Sequence, residues 1–96
     1  MFTIIFKPFF QRDLKKYKNN PQTMKRILTA IDLLRKDDPL PQSFFDHQLQ
    51  GKLRMYRELH VEPDLLLVYE KNGKELRIVC IWLVTHKKLR ERERTI

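Results

Sequence analysis

Ninety-six residues, with twenty Lys and Arg against twelve Asp and Glu and a formal net charge of +8, leave room for one modest core, so residues 1–96 read as a single domain. No segment approaches the roughly twenty apolar residues of a membrane helix, and the opening MFTIIFKPFF is too short and too polar at its end for a signal peptide; the expectation is a cytoplasmic protein with no membrane partner. The lone cysteine, Cys80, excludes an intrachain disulfide, and the positive charge favours encounter with nucleic acid or an acidic protein segment.

Phe2 to Phe6 is short, aromatic and β-branched, and Lys7-Pro8 follows it, which predicts a first strand passing directly into a helix with proline in its first turn. From Pro8 to Lys18, Phe10, Leu14 and Tyr17 recur at helical spacing, while Gln11, Arg12, Asp13, Lys15 and Lys16 fill the polar positions. Asn20-Pro21 then supplies an N-cap and a proline at the first helical position. Met24, Ile27, Leu28, Ile31 and Leu34 mark one face of the second helix, which Asp37, Asp38, Pro39 and Pro41 stop. The short link between these helices favours an antiparallel hairpin with a solvated basic outer face.

Residues 52–60, 64–70 and 75–84 are enriched in β-branched, aromatic or aliphatic residues and predict three further strands. Glu62-Pro63-Asp64 supplies one bend, and Asn72-Gly73 predicts a two-residue type I′ hairpin. The order strand, helix, helix, strand, strand, strand indicates an α+β domain, its helical hairpin packed on one face of a mainly antiparallel sheet and the other face open. Alternation in the second strand places Arg54, Tyr56, Glu58 and His60 on the open face, and Leu53, Met55, Arg57 and Leu59 beneath the helices. The charged end LRERERTI is expected to be frayed or briefly helical.

Each of the three histidines lies where a site can form: His47 before the second strand, His60 at its end and His86 after the fourth. Asp64, four residues beyond His60 across the bend, is expected near that imidazole, where a carboxylate fixes the tautomer and assists proton transfer near neutral pH. Each of these residues has a plain alternative, a polar surface histidine or a turn-initiating aspartate.

The string FFDHQLQGKLRMYRELHVEPDLLLVYEKNG resembles the YafQ branch of the RelE toxin superfamily. Asp46, His47, Leu49 and Gly51 match its Asp-His-x-Leu-x-Gly element. Arg57, Glu58, His60, Val61, Pro63 and Asp64 match its Arg-[Asp/Glu]-x-His-[Ile/Val]-x-Pro-Asp element. Leu67 and Tyr69 match a strand ending, and Thr85, His86 and Leu89 retain part of the family's closing motif. The resemblance implies a RelE-like fold and the toxin of a type II toxin–antitoxin system, a ribosome-dependent endoribonuclease cleaving translated mRNA. It implies as partners a cognate antitoxin, the ribosome and mRNA, with DNA met only through the antitoxin complex. His47, His60, Asp64 and His86 fall on the family's catalytic positions, and Glu58 stands where the family often has aspartate. Two positions depart from the pattern: Val84 replaces a glycine, and Arg90 stands in place of the terminal aromatic residue.

RNA cleavage without a metal or other cofactor needs a base for the 2′-hydroxyl, donors for the crowded phosphorane and an acid for the departing 5′-oxygen. His60 and His86 are the expected acid–base pair, Asp64 orients an imidazole, and His47 contacts the phosphate or shares the proton traffic. Arg57 and Arg90 are candidates for phosphate contact, though alternation reads Arg57 equally as structural. The rival readings are a metal-dependent hydrolase built on the histidines and a noncatalytic or inactive module that binds nucleic acid or an antitoxin.

Overall fold

The computed structural model describes residues 1–96 in the order β1 (Thr3–Phe6), α1 (Pro8–Lys15), α2 (Pro21–Lys36), β2 (His47–Gln48), β3 (Arg57–Glu62), β4 (Leu65–Asn72), β5 (Arg77–Val84) and α3 (His86–Arg94). One five-stranded sheet has the order β1-β5-β4-β3-β2, with β1 parallel to β5 and every other pair antiparallel. This is the expected α+β architecture, with two additions: the two-residue strand β2 and the helix α3.

Local chemistry accounts for the helical half. Pro8 opens α1, where its missing N–H has no helical partner to lose. The Asn20 side chain accepts from Thr23 N at 3.2 Å and caps α2. Asp37 ends α2 in a left-handed conformation, φ 59°. Helix α1 stops at Lys15 rather than Lys18, the following residues turning towards Asn20. Phe10, Ile27, Ala30, Ile31 and Leu34 pack on Leu59, Leu67, Tyr69, Ile78 and Cys80 to form the main core.

Asp13, expected among the solvated positions of the first helix, is instead 1% exposed. Its carboxylate accepts from Leu83 N at 3.0 Å and from both terminal nitrogens of Arg92 at 2.8 Å. Strand β1 leaves the sheet at Phe6, so the β5 edge beyond Cys80 lacks a strand neighbour, and Asp13 takes the amide that β1 no longer pairs.

The predicted strand over 52–60 is corrected. Gly51–Leu53 forms a 3-10 turn with Gly51 at φ 68°, and the strand begins only at Arg57. The Gln48 amide bonds the carbonyls of Arg54 and Tyr56, tying this turn back to β2. Leu53 therefore does not lie beneath the helices, and Met55 is 49% exposed. Leu53 joins Leu66, Val68, Trp82, Val84 and Leu89 in a second apolar cluster on the opposite face. That face is thus partly covered, by the 3-10 turn and by α3, and only its end near β2 and β3 stays open.

The Asn72-Gly73 prediction is corrected in its geometry. The register pairs Asn72 with Arg77 across a four-residue loop, and Leu76, not Gly73, takes the positive φ of 53°. The Asn72 side chain accepts from Lys74 N and Glu75 N, so an Asx turn replaces the two-residue hairpin. The charged end is ordered as α3, because Thr85 caps it by accepting from Lys88 N and Leu89 anchors it in the second cluster.

Candidate active site

The sheet register gathers the three histidines at one end of the open face. Glu58 and His60 project from β3 on the face opposite Leu59, and β2 sets His47 directly beside Glu58. His60 pairs with Leu66 and Leu66 with Val84, so His86, two residues past Val84, arrives next to His60. The ring centroids of His60 and His86 lie 5.4 Å apart and those of His47 and His60 6.5 Å apart.

Glu58 forms the floor of this row. Its side chain is 8% exposed, and Oε2 lies 3.0 Å from His47 Nε2 and 3.8 Å from His60 Nε2. Its buried Oε1 has no protein partner. His47 Nδ1 donates to the Phe45 carbonyl oxygen at 2.6 Å, so its Nε2 contact with a carboxylate requires a second proton in the pair. With an acceptor at each ring nitrogen, the carbonyl oxygen of Phe45 and the carboxylate of Glu58, the site is shaped for the doubly protonated imidazolium of His47.

Asp64 is paired with His86 and not, as expected, with His60. Its Oδ1 accepts from His86 N at 2.9 Å and from His86 Nδ1 at 2.6 Å. The physical reason is the start of α3: the first helical amides lack intrahelical acceptors, and Asp64, at the bend before β4, satisfies one of them. One carboxylate oxygen so fixes both the backbone and the ring of His86, leaving Nε2 free. The two bonds from His86, with the Arg90 charge adding to them, hold the Asp64 carboxyl below the usual carboxylate range.

Because the folded value is the depressed one, the contribution of Asp64 is present above the ordinary carboxylate range and is lost as pH falls through the folded value. A carboxylate-detected NMR titration should place the Asp64 inflection low. The stability difference between wild type and Asp64→Asn should close across that inflection, whereas a difference independent of pH would contradict the pairing.

Arg90 is exposed one helical turn after His86 on α3, with its charge felt at Asp64. Arg57 is not brought to the histidines. It lies on the opposite face of β3 and donates to Asp46 at 2.9 Å, and this bond pushes the guanidinium pKa up against the opposing effect of burial. The Tyr69 hydroxyl also donates to Asp46, and burial first, then Asp46, pushes its ionisation well above the ordinary tyrosine value. Asp46 and Tyr69 carry motif matches, yet nothing in their spacing announces that they anchor the residue preceding His47. Phe45, its ring centroid 5.5 Å from His60, is a further neighbour to which no spacing in the sequence points. No three His, Cys, Asp or Glu side chains converge in a geometry suited to a metal ion.

Residues 2–91 match the family described as "Bacterial toxin of type II toxin-antitoxin system, YafQ". The chain is 36% identical over 69 residues, 71% of its length and 75% of the relative's, to the mRNA interferase toxin YafQ of Escherichia coli K12. Among solved structures it is similar to a metal-bound toxin from Helicobacter pylori, with TM-score 0.83, 35% identity and coverage of 93% of this chain and 99% of that one. The toxin in the E. coli DinJ–YafQ complex superposes with TM-score 0.76 and 32% identity, covering 93% of this chain and 98% of that one.

Proposed function

Because the chain belongs to the YafQ family of toxins of bacterial type II toxin–antitoxin systems, we propose that it is an endoribonuclease that cleaves translated mRNA on the ribosome without a metal ion. A cognate antitoxin neutralises it, and DNA is met only through the toxin–antitoxin complex. The observation that carries the catalytic reading is the row of three imidazoles with Glu58 beneath two of them and Asp64 behind the third.

In this reading His86 is the base. Its Nδ1–H is committed to Asp64, so the Nε2 lone pair takes the proton of the 2′-hydroxyl as that oxygen attacks phosphorus. His60 is the acid, protonating the 5′-oxygen as the P–O5′ bond breaks and a 2′,3′-cyclic phosphate forms. With centroids 5.4 Å apart, the two rings are close enough for one phosphodiester to touch both. His47, held as the imidazolium against Glu58, presents positive charge to the nonbridging oxygens of the phosphorane. Arg90 contacts the phosphate or a base from the α3 side, and Arg57 positions His47 through Asp46.

The overall charge of +8 supports approach to the polyanionic ribosome and to an acidic antitoxin segment. Primer extension on a message with and without programmed ribosomes is the test. Cuts in register with the reading frame, undiminished by a transition-metal chelator that spares the ribosome's magnesium, are expected. Equal cutting of naked RNA would remove the ribosome from the proposal, and loss of cutting on adding a transition-metal chelator such as 1,10-phenanthroline, which leaves the ribosome's magnesium in place, would remove the metal-free mechanism.

A further inference from the structure

Phe45 stands out in this site because its backbone and its side chain do different things. It follows the 3-10 turn Gln42–Phe44 and sits at φ 48°, in the left-handed region that bulky residues avoid. The conformation has a structural use, since it aims the Phe45 carbonyl at His47 Nδ1, 2.6 Å away. Glycine or asparagine would serve that use with less strain. The aromatic ring adds little to the core, being 64% exposed.

The neighbours on either side are anchored. Phe44 packs against the main core, and Asp46 is tied to Arg57 and Tyr69. The chain between them is thereby fixed with the Phe45 ring held outward beside His60, centroid to centroid 5.5 Å. Ring and imidazole share a cleft of about 440 Å³ with Ser43, Val61, Glu62 and Pro63. The Glu62 carboxylate is already taken by Thr23 Oγ1 at 2.9 Å and Arg26 at 2.7 Å.

We infer that the Phe45 ring is a stacking platform for one nucleobase next to the cleaved phosphate, on the His60 side of the site. The inference rests on the ribonuclease reading above and deepens it. An unstacked RNA base offers an aromatic face that a rigid, exposed ring can cover without reading sequence, and such contacts orient the backbone for in-line attack. On the opposite flank of the histidine row the chain offers Arg90 instead of an aromatic ring, so Phe45 supplies the flat apolar surface from β2's side.

Single-turnover cleavage on programmed ribosomes tests this, with Phe45→Ala, Phe45→Trp and messages carrying an abasic ribose immediately 5′ or 3′ of the cut. Alanine meets the same left-handed backbone as phenylalanine, so that comparison isolates the ring. Phe45→Ala should slow cleavage roughly 5- to 100-fold, the range of base–aromatic stacking, and Phe45→Trp should match or exceed wild type. One of the two abasic messages should slow the wild type by a similar factor and abolish its advantage over Phe45→Ala.

Wild-type rates in Phe45→Ala would overturn the inference while leaving the nuclease reading intact. So would a deficit that persists unchanged on both abasic messages, which would assign the ring to packing against His60. A wild-type protein that cleaves neither intact message nor naked RNA would overturn both readings together.

Discussion

His60→Ala and His86→Ala should each reduce single-turnover cleavage by roughly 10²–10⁴-fold, the usual contribution of a positioned acid or base. Neither ring belongs to either apolar cluster, so both variants should fold and melt close to wild type. The double variant should be little worse than the weaker single one, because a transition state that has lost its base gains nothing from a waiting acid. Induced expression without antitoxin supplies the cellular readout: growth arrest with wild type and its disappearance with either variant. Persistent arrest in both would transfer the biological effect from catalysis to binding, the noncatalytic alternative. His47→Ala should cost less than either, since His47 is given charge stabilisation rather than a full proton transfer.

The second large effect concerns stability. Asp13→Ala should destabilise the fold by about 2–4 kcal/mol, because it leaves the buried Leu83 amide and the mostly buried Arg92 guanidinium without their acceptor. In a domain of this size each kcal/mol moves the melting temperature by roughly 4–8 °C, so thermal unfolding followed by circular dichroism reads the change directly. Replacing both partners, Asp13→Leu with Arg92→Met, should recover much of the loss, since removing a buried pair as a unit is far less harmful than orphaning one member. Arg92→Met alone should also weaken the docking of α3, whose only buried residue is Leu89. A single variant that melts like wild type would show that water or a rearranged side chain satisfies the pair.

Much of the architecture was readable because it depends on local chemistry. Pro8, Asn20-Pro21 and Asp37 mark helix ends through φ restriction and capping, and the 3.6-residue spacing of Ile27, Ile31 and Leu34 selects the buried face. The Asn72 prediction found the right bend but the wrong turn, because Asn72 can either enter a left-handed conformation or accept amides through its side chain. The loop took the second course. The 52–60 reading failed because an alternating apolar pattern cannot distinguish a strand from a turn that buries Leu53 on the opposite face.

Local chemistry and spacing make α1, α2, β1, β4 and β5 legible in the sequence and, through spaced motif matches, the candidates His47, Glu58, His60, Asp64 and His86. Which groups partner which follows from the folded arrangement: Asp64 with His86, Glu58 with His47, Asp46 with Arg57 and Tyr69, and Asp13 with Arg92. Capping and periodicity act within a few residues and leave their mark on composition. A carboxylate's choice of partner instead depends on strand register and on which backbone amides the fold leaves unpaired, quantities fixed by contacts as distant as the 79 residues separating Asp13 from Arg92.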